Sequence, residues 1–324
     1  RTNYDLVIDI NGTDSITIQK WFNSSAYKVE SFEFADGTVL NSEYMQSFDL
    51  TVDGTANNEN LYGMNGNDVL TGNGGNDNLY GSGGDDILTS GDGADYLSGG
   101  NGDDILNSGS GNDNLNAGNG NNILNAGSGD DILNSGSGND ILNGGAGNDN
   151  LSAGYGNDII NAGSGDDYIN GSHGSDTYIF NLGDGKDTIK AQDGDDKIIF
   201  DSADRVDGGK GYDSLMIEET VVLDFDDLKK NFAKNIEELV LDENVNTTLN
   251  NIDYKDVLSM TDGDNTLIIK GSEGDVVNLN DKDTKKDSWI QEEEQVEIDG
   301  LYYNVWTNDN AKLNIDEAIL VTDI

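Results

Sequence analysis

The stretch GNDNLYGSGGDDILTSGDGADYLSGGNGDDILNSGSGNDNLN, from Gly75 to Asn116, repeats one phrase of nine residues without insertion or deletion. Every ninth residue is an aspartate, and a leucine stands two positions after each aspartate. Glycine, serine and asparagine supply most of the residues between them. A fixed period of this kind predicts a repeat architecture, in which short units of one kind stack on their neighbours.

The same period extends on both sides of this stretch. With GMNGNDVLT, Gly63 to Thr71, as the first block, thirteen blocks run without interruption to Ile179. Position 4 of the block is always glycine, and position 6 is aspartate in every block except the one with Asn122. Position 8 is leucine as far as Leu151 and becomes isoleucine or tyrosine afterwards. Columns of glycine, carboxylate and apolar residues therefore run along the chain.

Each column has a physical interpretation. An apolar residue between two polar ones forms a short strand with one inward side chain, because strand side chains alternate between faces. The glycine-rich remainder forms a tight turn, since glycine adopts positive φ at little cost. Two blocks then make one coil of 18 residues, and thirteen blocks make about six and a half coils. Stacked turns bring carboxylates and backbone carbonyls together, and these hard oxygen ligands suit calcium.

Gly63 to Ile179 resembles the calcium-binding nonapeptide repeats of the RTX, or haemolysin-type, proteins. The resemblance implies an all-β fold, a right-handed parallel β-roll with small β-rich flanking domains, that holds several Ca²⁺ ions, roughly ten. It also implies that position 6 supplies the metal ligands, which are Asp68, Asp77, Asp86, Asp95, Asp104, Asp113, Asp131, Asp140, Asp149, Asp158, Asp167 and Asp176. In the irregular repeats that follow, the same role is carried over to Asp187, Asp196 and Asp213. Because Asn122 lacks the charge, the turns of Asp104 and Asp140 are expected to hold calcium less tightly.

Three domains are predicted along the chain. Residues 1–50 form a β-rich N-terminal cap, with strand patterns in YDLVIDI, DSITIQKWF, YKVESFEF and TVL around an Asp36-Gly37 turn. Residues 51–213 form the roll, which is regular over 63–179. Residues 214–324 form a β-rich C-terminal domain with one helical pattern from Phe225 and strands in DVLSMTDGDNTLIIKGSEGDVVNL, WIQ, VEIDGLYYNVWT and AILV. This last domain is similar to the C-terminal region of large RTX adhesins, which implies a type I secretion signal from about residue 250 onward.

Composition narrows the function. The chain carries 63 acidic and 17 basic residues, a formal net charge of -46, so it repels nucleic acid and anionic membranes and needs cations to become compact. It has no cysteine, which excludes disulfides and thiolate metal sites, and no apolar run of the roughly 20 residues that span a bilayer.

No enzyme is expected from these residues. His173 is the only histidine, and its turn position predicts solvent exposure. DENVNTTLNNID, from Asp242, resembles the start of an EF-hand loop but lacks its glycine and final glutamate. Position 3 of the blocks shows no regular rank of threonine, which argues against ice binding.

The sequence therefore favours a calcium-dependent folding and export module at the C-terminus of a long secreted bacterial cell-surface protein, of the adhesin or surface-layer type. Its expected partners are calcium, the type I secretion machinery and, through upstream domains, a host or neighbouring cell surface. The start at Arg1 without a signal peptide is interpreted as a fragment of a longer chain. The alternative is the C-terminal RTX region of a secreted enzyme or pore-forming toxin whose active part lies upstream. The sequence before residue 1 would separate the two.

Overall fold

The computed structural model describes the chain as strands joined by tight turns. The described residues are 6–10, 14–18, 31–33, 39–41, 46–179, 185–199, 205–217, 222–224, 233–241, 247–252, 257–258, 260–261, 265–279, 289–298, 301–308 and 311–323. They fall into two compact units, residues 1–137 and 138–324. In the part of the chain so described, no helix is both long and apolar enough to cross a membrane.

The first unit opens with two antiparallel hairpins and continues as parallel coils. Its strands are β1 Leu6–Ile10, β2 Asp14–Ile18, β3 Ser31–Glu33, β4 Val39–Asn41, β5 Thr51–Asp53, β6 Asn60–Tyr62, β7 Val69–Gly74, β8 Asn78–Gly83, β9 Ile87–Asp92, β10 Tyr96–Asn101, β11 Ile105–Ser110, β12 Asn114–Asn119, β13 Ile123–Ser128 and β14 Ile132–Ser137. β1 pairs with β2 and β3 with β4, as the strand patterns predicted, while the Asp36-Gly37 turn lies outside the described residues.

From β5 onward, successive strands alternate between two parallel sheets. Each strand pairs in parallel with the strand two places along the chain, so that Leu97 of β10 lies beside Leu115 of β12 and Leu106 of β11 beside Leu124 of β13. The partners are 18 residues apart, which confirms the predicted coil of two nonapeptides. The chain thus forms a parallel β-roll in this unit.

The second unit continues the same pattern and then lengthens its coils. Its strands are β15 Ile141–Ala146, β16 Asn150–Tyr155, β17 Ile159–Ser164, β18 Tyr168–His173, β19 Thr177–Ile179, β20 Thr188–Asp193, β21 Lys197–Ile199, β22 Arg205–Asp207, β23 Ser214–Ile217, β24 Val222–Asp224, β25 Ala233–Lys234, β26 Glu238–Leu241, β27 Thr248–Ile252, β28 Thr266–Lys270, β29 Val276–Leu279, β30 Ile290–Gln291, β31 Val296–Ile298, β32 Leu301–Asn308, β33 Ala311–Asp316 and β34 Leu320–Asp323.

Parallel pairing in this unit does not stop where the nonapeptides end. β23 pairs with β26, β26 with β28 and β28 with β33, all in parallel. A separate parallel sheet contains β24, β27, β29 and β34. The coil lengthens from 18 residues to 24 between Leu215 and its partner Leu239. The predicted domain boundaries at residues 50 and 213 stay predictions.

Several local predictions in this region were wrong. Val257, Leu258 and Met260 lie in a helical turn, although DVLSM was assigned to a strand. Ala311–Asp316 is a strand that no pattern predicted. Of the segment read as a helix, residues 225–232 lie outside the described residues, while Ala233–Lys234 form a strand.

The core of each coil is the apolar column. Leu70, Leu79, Leu88, Leu97, Leu106, Leu115, Leu124, Leu133, Leu142, Leu151, Ile160, Ile169 and Tyr178 are all fully buried. Burying one such side chain contributes on the order of 1.5–3 kcal/mol, so the column stabilises the stack but has no ionic selectivity.

The turns that join the strands require glycine at position 4. Gly111 has φ +133°, and a Cβ built on it would overlap the carbonyl oxygen of Gly93 in the preceding coil. A side chain at this position is therefore excluded both by backbone conformation and by the close stacking of turns.

Candidate metal centre

The aspartates of position 6 lie at the corners of the coils, between the glycine turn and the following strand. Their exposed fraction is at most 3 %. The structure places every predicted ligand in this position: Asp68, Asp77, Asp86, Asp95, Asp104, Asp113, Asp131, Asp140, Asp149, Asp158, Asp167, Asp176, Asp187, Asp196 and Asp213. Aspartate is almost never fully buried unless its charge is balanced, so a column of buried carboxylates calls for a balancing group.

One oxygen of each carboxylate is used to join neighbouring coils. The backbone N–H of Asp86 donates to Oδ1 of Asp104 at 2.8 Å, and that of Asp77 donates to Oδ1 of Asp95 at 2.7 Å. In the second unit the N–H of Asp140 donates to Oδ1 of Asp158 at 2.8 Å. We refer to this series of contacts as the carboxylate ladder. It fixes the rotamer of each aspartate and leaves Oδ2 directed toward the turn.

The ladder continues through the irregular repeats despite their altered spacing. The N–H of Asp176 donates to Oδ1 of Asp196, 20 residues later, at 2.8 Å. The N–H of Asp196 donates to Oδ1 of Asp213, 17 residues later, at 2.9 Å. Extra or missing residues are therefore taken up elsewhere in the coil, and the corner geometry is retained.

The second carboxylate oxygen faces a small polar space. Among the described residues, no group donates a hydrogen bond to the buried Oδ2 atoms of Asp77, Asp86, Asp95, Asp104, Asp158, Asp196 and Asp213. A Cβ built on Gly81 would meet Oδ2 of Asp86 and the carbonyl oxygen of Gly99, which belongs to the next coil. A carboxylate oxygen and a backbone carbonyl thus converge above the glycine of position 1.

The electrostatics of these corners oppose a free negative charge. Burial raises the pKa of Asp86 and Asp158 to about 7 and that of Asp104 to about 6, and neighbouring carboxylates raise each of them further. The backbone N–H of the preceding coil acts in the opposite direction but does not compensate for burial. At neutral pH the corners are therefore stabilised by a cation or by partial protonation.

The donor set fits calcium. No three acidic or histidine side chains converge on one point anywhere in the described ranges, so an ion at a corner must also draw on backbone carbonyls. Carboxylate and carbonyl oxygens in flexible number are the ligands that Ca²⁺ accepts, whereas Mg²⁺ demands a tighter octahedral shell. When bound, the ion would supply positive charge to the Oδ2 atoms and the facing carbonyls.

Asn122 keeps the ladder but changes the corner. Its Oδ1 accepts the N–H of Asp104 at 2.9 Å, as an aspartate would. Its Nδ2 donates to the carbonyl oxygen of Gly120 at 2.9 Å. The amide thus replaces ionic contacts with a neutral hydrogen bond and occupies a carbonyl of the turn.

Two further side chains qualify the sequence analysis. Tyr178 is a polar member of the apolar column, and its hydroxyl lies over Gly171 beside the carboxylate of Asp176. A tyrosine at position 8 opposite a glycine at position 1 was a signal for this contact that went unused. His173 is exposed and stacks on Tyr155 at a centroid distance of 4.8 Å, which confirms its predicted surface position.

A roll of parallel nonapeptide coils with a buried carboxylate at each corner defines a class of calcium-binding β-roll. Residues 53–88, 80–115, 108–142, 116–151, 143–178 and 181–215 match the family described as RTX calcium-binding nonapeptide repeat. Residues 5–44 match the haemolysin-type calcium binding protein related domain. No curated protein matches the chain. The chain belongs to the RTX repeat proteins, whose nonapeptides bind calcium.

Proposed function

We propose that this chain is a calcium-dependent folding and export module at the C-terminal end of a longer secreted bacterial cell-surface protein, of the adhesin or surface-layer type. The observation that carries the proposal is the buried Oδ2 column. Seven corners place a carboxylate oxygen in the interior without a hydrogen-bond donor from the described residues, namely those of Asp77, Asp86, Asp95, Asp104, Asp158, Asp196 and Asp213.

Without divalent ions, folding of the roll would bury these charges at a cost of several kcal/mol each or require proton uptake. The formal net charge of -46 adds repulsion between coils. The apolar column alone must offset both effects. In this proposal the calcium-free chain is therefore unfolded, and calcium binding and folding are one event.

The two states suit the two sides of a bacterial envelope. Inside the cell, where free calcium is scarce, an extended acidic chain is the form that a narrow type I exporter can thread. Outside, calcium at about the 0.1–1 mM that such extracellular modules require fills the corners and drives the roll to form. The mature location in this proposal is extracellular or at the cell surface, reached by a secretion signal from about residue 250 onward.

The chain itself is proposed to have no catalytic activity. A second parent protein, a secreted enzyme or pore-forming toxin with its active part upstream, is compatible with the same roll. Tandem immunoglobulin-like repeats before residue 1 would favour the adhesin, and a HExxH helix or a GxSxG elbow would favour the enzyme.

Export with and without calcium tests the proposal directly. The chain is expressed in a bacterium that carries a type I exporter, and secretion is compared with that of a chain lacking residues 250–324. The expected result is secretion of the full chain only, with resistance to protease only when calcium is present in the medium. A chain that is already protease-resistant in chelator, or is secreted equally without residues 250–324, would overturn the corresponding half of the proposal.

A further inference from the structure

The last nonapeptide corner, at Asp213, has the same arrangement as the regular ones. A Cβ built on Gly208 would meet Oδ2 of Asp213, at 2.6 Å, and the carbonyl oxygen of Asn235. In the regular roll, Gly81, Asp86 and Gly99 have these three roles. Asp213 is 0 % exposed, and its Oδ2 accepts no hydrogen bond from the described residues. The half of the corner that comes from the nonapeptide is therefore complete.

The other half comes from a segment with no nonapeptide. Ser214 lies beside Glu238 and Leu215 beside Leu239 in the parallel pair of β23 and β26. This register puts Glu237 beside Asp213, at position 6 of the next coil. The N–H of Asp213 donates to Oε2 of Glu237 at 3.0 Å, the same contact that Asp86 makes with Asp104. Glu237 thus ends the carboxylate ladder in the second unit.

The turn that carries Glu237 is much shorter than a nonapeptide turn. The N–H of Gly208 donates to the carbonyl of Lys234 at 3.0 Å, which places Lys234 at position 9 and Asn235 at position 1. Only Ile236 then separates position 1 from position 6, where a regular block has four residues. The additional methylene of glutamate, relative to aspartate, extends the carboxylate from this short turn to the ladder.

Neighbouring acids in the same region are balanced by protein groups. Glu238 contacts Lys270 at 2.6 Å and accepts hydrogen bonds from Tyr212 and Ser214. Asp275 is fully buried, but its two oxygens accept the N–H groups of Thr247 and Ser272, both at 2.8 Å. The Asp213 corner differs from both, because it combines a buried carboxylate oxygen that lacks a donor with a second carboxylate and a carbonyl.

We propose that Asp213, Glu237 and the carbonyl of Asn235 form a further calcium site, which closes the roll against the long-coil segment that follows. This site deepens the proposed function, because it makes folding of the segment after residue 213 dependent on calcium as well. It also explains why a glutamate from outside the nonapeptides occupies the ladder. The long-coil segment is then joined to the roll by an ion in addition to strand pairing.

Calcium stoichiometry of the full chain tests the site. Glu237→Gln keeps the ladder acceptor but removes the charge, and it should bind one calcium ion fewer than the unaltered chain, measured by equilibrium dialysis at saturating calcium. Glu238→Gln, at the next residue, removes a charge that Lys270 already balances and should leave the stoichiometry unchanged. Equal ion counts in Glu237→Gln and the unaltered chain would overturn the site while leaving calcium-dependent folding intact.

A measurement on the unaltered chain guards against a variant that fails to fold. Crystals grown with calcium should show an anomalous peak about 2.3–2.6 Å from carboxylate oxygens of both Asp213 and Glu237. Peaks between the regular turns without one at this position would refute the closing site alone. Absence of peaks throughout an ordered roll would refute the site together with the proposed function.

Discussion

The backbone N–H of Asp86 donates a 2.8 Å hydrogen bond to Oδ1 of Asp104, which has the same position one coil later. The contact holds one carboxylate oxygen in the ladder and leaves the other facing the turn. Coil stacking and cation binding therefore depend on the same side chains. A change at one corner is expected to affect both properties together.

The first prediction concerns the choice of ion. Calcium should convert the full chain from an unfolded to a β-rich circular dichroism spectrum in one cooperative step, because neighbouring corners share the ladder. Magnesium at equal concentration should not do so, since it releases water reluctantly and requires near-ideal octahedral geometry. A β-rich spectrum that persists in excess chelator would contradict this expectation.

The second prediction concerns pH. Burial raises the pKa of Asp86, Asp158 and Asp196 to about 7 from an ordinary value of 3.8. A carboxyl whose pKa is higher in the folded chain favours folding below its unfolded pKa, and this contribution is lost as pH rises through about 7. The calcium-free chain should therefore be less unfolded near pH 5.5 than near pH 8, within about the window set by these values.

Protons and calcium should also compete for these carboxylates. The calcium midpoint of folding is expected to rise as pH falls from about 8 to about 6, and calcium binding should release protons in this range. Circular dichroism titrations at several pH values measure the first effect, and titration in weakly buffered solution measures the second. A midpoint independent of pH would show that the corners are not protonated in the calcium-free chain.

The third prediction concerns Asn122. Asn122→Asp removes the amide that donates to the Gly120 carbonyl and restores a carboxylate beside Asp104. One additional or tighter ion would stabilise the roll by about 1.4 kcal/mol when free calcium is about tenfold above its Kd. The calcium midpoint should therefore fall.

The matched control for this change is the adjacent residue. Asn121 is exposed, and its N–H and amide contact Asp103 outside the buried corner. Asn121→Asp adds the same charge at the surface and should raise the midpoint slightly or leave it unchanged. If both variants shift the midpoint equally, the effect belongs to net charge and not to the corner.

The fourth prediction concerns the turn glycines. Gly111→Ala forces a Cβ into positive φ and against the Gly93 carbonyl, so it should destabilise the calcium-loaded roll by roughly 1–3 kcal/mol or more. Gly74→Ala is the control, because the nearest atom to its Cβ would be the carbonyl oxygen of Asp92 at 3.7 Å. Thermal unfolding in saturating calcium compares the two. Similar melting temperatures would mean that the turns deform easily.

The regular corners were predictable because their spacing is constant. Once Asp86 and Asp104 are 18 residues apart, coil length, sheet assignment and ligand position all follow. Glu237 was not predictable in this way, since its turn is shortened and its coil is longer than a nonapeptide pair. Only the parallel register of Leu215 with Leu239 reveals its position.

The long-coil segment shows a second reason for error. In β27 the register shifts between Leu249 and Ile252, so both side chains point inward although they are three residues apart. This irregularity interrupts the alternation by which strands are recognised. The segment was considered only as an imperfect EF-hand loop, and the strand within it was missed.

The carboxylate ladder has a direction, because each coil gives an N–H to the coil that follows it. Where it begins, Oδ1 of Asp68 accepts from the N–H of Leu50 at 2.6 Å, and where it ends in the second unit, the N–H of Asp213 reaches Glu237. Like an α-helix, the array thus needs different chemical caps at its two termini. Both caps lie outside residues 53–215, the part that matches the repeat family. Whole coils can therefore be added or removed between the caps without exposing an unsatisfied group, which makes the roll a spacer whose length is adjustable in steps of one coil.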